Sequence, residues 1–296
     1  MTSPEQAPGR RLTAGQICRI HTYDVATGVT ALVHTSSTVL FEAPNWTADG
    51  HLIVNGDGLL WRLPADGSEP PRQIRLDGVP DLNNDHVLAP DGETIYVSAN
   101  DGHIYQAPLA GGGVRRVTSD DTRLHFLHGV SPDGATLAYV GIEQQEWTTA
   151  SLWTIGVDGA GTARLTAAGG TDDGPEYAPA GDWIYFNTER FGTAAGHAQI
   201  ARIRPDGTGV RQLTFDDRVN WFPHLAPDGS QAVYLSYPPG TIGHPADRPV
   251  ELRLVAPDAW ERPRTVAEPA GGQGTINVNS WSPDATRFAY VDYPFR

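Results

Sequence analysis

Short stretches of alternating apolar and polar residues recur along the chain, such as Ile95-Tyr-Val-Ser98 and Trp183-Ile-Tyr-Phe186. Such alternation marks a half-buried strand. Each stretch follows a recurring phrase: Trp46-Thr-Ala-Asp-Gly50, Leu88-Ala-Pro-Asp-Gly92, Val130-Ser-Pro-Asp-Gly134, Tyr177-Ala-Pro-Ala-Gly181, Leu225-Ala-Pro-Asp-Gly229 and Trp281-Ser-Pro-Asp-Ala285. Successive copies lie 42, 42, 47, 48 and 56 residues apart. Pro fixes φ and Gly accepts a positive φ, so each phrase reads as the tight turn of a hairpin.

A second phrase sits between the copies, as in Leu59-Leu-Trp-Arg-Leu63, His103-Ile-Tyr-Gln-Ala107 and Ser151-Leu-Trp-Thr-Ile155. A turn and a short strand follow it, as in Arg211-Gln-Leu-Thr214. Two hairpins make a four-stranded unit of the size of one propeller blade. The chain opens on the second hairpin and closes on the first, so its two ends are expected to pair into one composite blade. The expectation is a single all-β domain, a six-bladed β-propeller. Its blades fall at about 17–35 plus 277–293, 43–77, 84–118, 126–166, 174–214 and 222–267.

Composition agrees with this picture. The 33 Gly and 24 Pro disfavour long helices and suit many turns. A formal charge of −14 makes nucleic acid and anionic membrane poor partners. The single Cys18 excludes an internal disulfide and a Cys-rich metal site. Met1 to Gly15 is polar and reads as lacking an export signal, which makes the cytoplasm the expected location. There is no Gly-x-Ser-x-Gly elbow, phosphate loop or dinucleotide fingerprint.

Candidate chemistry sits just ahead of the Pro-Asp-Gly turns, where the first strand of each blade lines the central channel. Those positions hold Asn45, His86, His128, Glu176, His224 and Asn279. Imidazole and carboxylate are ordinary ligands of divalent metals. His86, His128, Glu176 and His224 are therefore expected to hold one cation (Mn, Zn or Ca), which would polarise a substrate or activate water. The expected catalytic groups are His128, His224, Glu176 and Arg190. Asn45, Asp85, Trp147, Asn220, Trp221, Tyr237, His244 and Asn279 are the expected substrate contacts. Loops between hairpins lengthen in the later blades, at Gly141–Ala150, Asn187–Ala198 and Ser236–Pro249, which draws attention to the strand-entry rim. A polar channel that only holds water is the plainer alternative.

The Ser-Pro-Asp-Gly phrases resemble the repeats of TolB-type β-propellers over nearly the whole chain. Asn84-Asp-His86, His128-Gly129, Asp172-Asp-Gly-Pro-Glu176, Asn220-Trp-Phe-Pro-His224 and Gly271-Gly-Gln-Gly-Thr-Ile-Asn277 look like those of small intracellular TolB-like proteins. TolB itself works with the Tol–Pal envelope system, so the resemblance implies a protein or peptide partner. In outline the chain is also similar to oligogalacturonate lyases, propellers that hold Mn near the axis. It differs in having six blades against seven, and a lone His224 where they carry a His pair. That resemblance implies a carbohydrate-active lyase or hydrolase acting on a small oligosaccharide or glycoside. The alternative is a non-catalytic propeller that binds a protein, a peptide or a small sugar.

Overall fold

The computed structural model describes residues 10–296 apart from Ala168 and Thr193. Residues 1–9, part of the segment read as lacking an export signal, lie outside the described residues. The chain folds into six blades arranged in a ring. The first five sheets each run in simple sequence order; one comprises Phe41–Trp46, His51–Gly56, Leu59–Pro64 and Arg72–Ile74. Their inner strands are Phe41–Trp46, Leu82–Leu88, Arg123–Val130, Asp173–Tyr177 and Val219–Leu225. Among the described residues there is no α-helix, only a 3-10 turn at Trp147–Thr149, and no helix is long and apolar enough to cross a membrane.

The sixth blade joins both ends of the chain. Cys18–Asp24 pairs on one side with Thr30–Ser36 and on the other with Arg287–Asp292, with Ile20 opposite Val291. Six clusters of buried apolar side chains fill the spaces between adjacent blades. One joins Cys18, Ile20 and Val291 to Leu52 and Val54, and so seals the composite blade against the first. Alternating residues of each strand face opposite neighbours, so the core is spread around the ring.

The recurring phrase forms the expected turn in each blade. Gly92 N donates to Ala89 O, and Ala89 N to Thr94 O; the other five copies repeat both bonds. The glycines adopt φ of about +70° to +80°, and Ala285 takes the same role at φ 59.

Every one of the five complete inner strands carries a β-bulge at or just ahead of its polar residue. The register slips between Glu42 and Asn45, Leu82 and His86, Leu127 and Gly129, Asp173 and Glu176, and Trp221 and His224. In three of them a residue with positive φ precedes a proline: Ala43, Gly174 and Phe222. Proline is tolerated there because the inner strand is the edge of its sheet. A bulge resets which side chain faces the channel. That explains how Glu176 and His224, one position later than His128 in the repeat, also reach the axis.

The inner strand of the sixth blade is more distorted. Ala289 N, Val291 N and Tyr293 N donate to Ser280 O, Thr275 O and Ala270 O. Between successive bonds the outer strand advances two residues and the inner chain five. The surplus loops inward and carries Ile276 and Asn277 across the channel. There Ile276 O accepts from His224 Nε2 (2.6 Å) and Asn277 O from His128 Nδ1 (3.1 Å).

Candidate functional site

Two polar layers result from these bulges, and a funnel opens beyond them. The first layer lies toward the rim of the long loops. His128 Nε2 sits 3.1 Å from Asp173 Oδ1 and 3.9 Å from Asp85 Oδ1, and His244 Nε2 is 3.6 Å from Asp173 Oδ2. His128 stacks on Phe222 at 5.7 Å, and His244 sets its edge on Trp221 at 4.4 Å. Half-exposed Trp147 stacks on Phe126 and covers His244. Burial alone would depress His128, but Asp85 and Asp173 raise it to about 9. Burial pushes the Asp85 carboxyl up to about 6, against the pull of His128. Burial also acts against an ionised Asp173, yet bonds and charge from His128 and His244 hold its carboxyl well below the usual range. The result is a buried imidazolium between two carboxyl groups, one of which titrates near neutrality.

The second layer lies toward the turns. Glu176 Oε2 accepts from His224 Nδ1 (2.5 Å), and Oε1 accepts from Leu225 N (2.9 Å) and Asn279 Nδ2 (2.7 Å). His224 Nε2 is occupied by Ile276 O. His86 turns away from this group, with Nε2 3.4 Å from Ile53 O, and burial lowers it to about 4. His128, Glu176 and His224 thus lie along the axis, but His128 is spent on Asp173 and Asn277 O, and Glu176 and His224 on one another, on Asn279 and on backbone. Among the described residues no group of three or more His, Cys, Asp or Glu is placed to hold a metal ion. The four expected ligands do not form a donor set that fits one: the nitrogens and oxygens of His128, Glu176 and His224 already have partners, and His86, whose Nδ1 has none, is turned away from them.

The other expected site residues separate into two groups. Asn45, Asn279, Asp85, Trp147, Trp221 and His244 do face the channel layers or their rims. Asn45 Nδ2 donates to Asn279 O (2.7 Å). Arg190, Asn220 and Tyr237 support loops instead. The Arg190 guanidinium pairs with buried Asp172 and donates from Nε to Thr188 Oγ1. Asn220 bridges Asp216 and Ser236. Tyr237 is fully buried and donates to Pro245 O at 3.0 Å.

The large cavity opens on the turn rim, opposite the long loops. It is a funnel of about 1020 Å³ bordered by all six recurring turns. Its wall is mainly apolar: Trp46, Leu88, Tyr177, Leu225 and Trp281, with Pro90, Pro132, Pro179, Pro227 and Pro283 around the mouth. His128, Glu176, Asn45 and Asn279 lie at its floor.

Several residues of these sites escaped the sequence reading. The wall residues Trp46, Tyr177 and Trp281 occupy one repeat position, immediately before the turn, which reads as packing. Phe222 is distinguished only by preceding a proline. Arg10 closes the loop rim: it contacts Glu42 (3.3 Å), Asp247 (2.5 Å) and Gln273 O (2.9 Å) and lies 3.9 Å over the Tyr293 ring. Burial lifts the Glu42 carboxyl to about 7 despite Arg10. No sequence pattern links Arg10 to residues over 200 positions away.

No family model matches the chain. An uncharacterized protein of Agrobacterium fabrum is 39% identical over 259 residues, covering 86% of this chain and 85% of that one. The solved structure of a TolB-like protein from Agrobacterium tumefaciens is 36% identical with a TM-score of 0.87, covering 94% of this chain and 99% of that one. An oligogalacturonate lyase in complex with manganese shares the fold at a TM-score of 0.58 and 17% identity, over 88% of this chain and 74% of that one. The chain belongs to the family of TolB-like six-bladed β-propellers that the two Agrobacterium proteins represent.

Proposed function

We propose that this protein is a binding propeller that receives a segment of a partner protein in the turn-rim funnel. The funnel carries the reading: its wall is apolar, its mouth is open, and Glu176 and His224 below it are engaged with one another, with Asn279 and with backbone. An extended peptide fits such a wall through apolar contact, with a few polar groups fixing its end. A sugar needs a denser set of donors and acceptors than prolines and leucines supply. Kinship with TolB-like propellers supports the same reading.

The test is selection of peptides from a random displayed library on the immobilised protein. Enriched peptides should be captured covalently by benzoylphenylalanine placed at Leu88 in the funnel wall, and not when it is placed at Leu32 on the outer strand. Absence of enrichment, or capture at Leu32 alone, would overturn the proposal.

A carbohydrate-active enzyme, lyase or hydrolase, is the second reading. One observation favours it: the Asp85–His128–Asp173–His244 network beneath Trp147. A carboxyl near 6 beside an imidazolium is the kind of pair that exchanges protons with a substrate. It predicts new unsaturated or reducing ends from a panel of uronate and neutral oligosaccharides. His128→Gln should abolish their formation while the fold is kept.

A further inference from the structure

We infer that the segment taken into the funnel is cationic, a lysine or arginine flanked by apolar residues; this rests on the funnel reading above. Three observations converge. The first is charge at the mouth. Each recurring turn carries one exposed aspartate: Asp49, Asp91, Asp133, Asp182, Asp228 and Asp284. Asp133 and Asp284 accept the Ser131 and Ser282 hydroxyls, and they, like Asp91 and Asp228, also accept backbone N–H groups of their own turns through Oδ1; these bonds keep each carboxyl below its ordinary range. The neighbouring turns on this face add Asp24, Asp66, Asp158, Asp206 and Asp258. The cations of the same turns are Arg62 and Arg287, set against Asp49 and Asp284, Arg72 and Arg262, set against Glu69 and Glu261, and Arg204 beside Asp206. The acids outnumber them, so the face attracts positive charge.

The second observation is inside the funnel. Asn45 lines it and is only 4% exposed, yet its Oδ1 has no hydrogen-bond partner within the chain. A buried acceptor left unmatched keeps the full cost of its lost hydration. It calls for a donor, and ammonium or guanidinium is the strongest kind. Glu176 lies at the same floor and contributes a carboxyl whose oxygens already have partners. The positive charge of His128 is matched by Asp85 and Asp173 on its far side.

The third is the wall itself. The guanidinium of Arg287 already lies 5.0 Å from the Trp46 ring, so this aromatic surface accepts a cation in the folded chain. Acid outside, aromatic and aliphatic surface within, and an unmatched acceptor at the floor together select an amphipathic cation. A neutral apolar peptide would leave Asn45 Oδ1 unmatched, and an acidic one would meet the charged mouth first.

The same library selection tests the inference. Enriched peptides should carry Lys or Arg well above the library frequency. Replacing that residue by norleucine or citrulline should weaken binding about tenfold. The triple variant Asp91→Asn, Asp133→Asn, Asp228→Asn keeps turn-capping side chains and removes charge. It should weaken a basic peptide several-fold at about 20 mM salt and little at about 300 mM, where the field is screened. Asn45→Asp puts an anion in place of the unmatched carbonyl and should tighten binding of the same peptide. Thermal melting of each variant checks that the fold is kept. Enriched peptides without basic residues, or a basic peptide indifferent to the triple variant and to Asn45→Asp, would overturn the cationic inference and leave the funnel reading standing. No enriched peptide at all would overturn both.

Discussion

His128 shows how much one side chain depends on its surroundings. Burial opposes its charge, yet Asp85 and Asp173 lift it to about 9. A histidine raised above its unfolded value of ~6.5 contributes stability that is complete below ~6.5 and is lost as pH rises through the folded value. Asp85, at about 6, has largely titrated by then, and Glu42, at about 7, adds a fall at the lower end of the window that Asp173→Asn leaves unchanged. The urea midpoint should therefore fall between about pH 7 and about pH 9, and Asp173→Asn should flatten that slope. Cys18, raised to about 12 by burial, adds a loss above its ordinary range that this variant leaves unchanged. An equal slope in both proteins would show that the His128–Asp173 contact does not carry the charge. The residue identities around His128 were legible in the chain, since the repeat alignment brings His86, His128, Glu176 and His224 to matching places. Their facing was not. A bulge displaces the pattern by a residue or two, and only Ala43-Pro44, Gly174-Pro175 and Phe222-Pro223 hint at it in the sequence. That is why His86 points to Ile53 O while Glu176 and His224 face the axis.

At the scale of the element, the turn chemistry is the most legible part of the molecule. Pro, Asp and Gly each have a mechanical role, and the hydrogen bonds recur in all six copies. The one deviation is Ala285, which takes φ 59 where the other turns have glycine. The left-handed region costs a non-glycine residue about 1–2 kcal/mol, and glycine loses about 0.5–1 kcal/mol in chain entropy. Ala285→Gly should thus stabilise the protein by up to about 1 kcal/mol, a rise of a few degrees in melting temperature. A lower melting temperature would mean that the methyl group packs favourably enough to offset the strain. The inner segment of the sixth blade was the least legible element. Gly271-Gly-Gln-Gly274 has no alternating apolar pattern, so nothing announces that the next residues cross the channel to meet His128 and His224.

At the scale of the whole molecule, stability is a property of the closed ring. Arg287–Asp292 alternates between two interfaces: Phe288 and Tyr290 pack toward the fifth blade, Ala289 and Val291 toward the first. Losing a buried side chain of this kind costs about 2–5 kcal/mol, and a domain has about 5–15 kcal/mol in all. A chain ending at Thr286 should show no cooperative denaturant transition and no near-ultraviolet circular dichroism of packed aromatics. A cooperative transition in that truncated chain would mean that five blades close without the sixth. Ring closure was readable because the order of phrases left half a blade at each end. The location of the cavity was not readable. Long loops drew attention to one rim, whereas the funnel lies at the other, where short turns leave the mouth uncovered and the inward loop of Ile276 and Asn277 closes the channel behind it.

The composite blade has one more consequence. Ile17 N donates to Pro294 O and Arg296 N to Gly15 O, so both ends of the described chain leave the disc side by side, at the long-loop rim. A tag, a fusion partner or a solid support attached to either end hangs behind the disc, with the funnel facing away from the tether. Joining the two ends through a short linker would make the backbone a circle. It could then be reopened in any blade without crossing the mouth of the funnel.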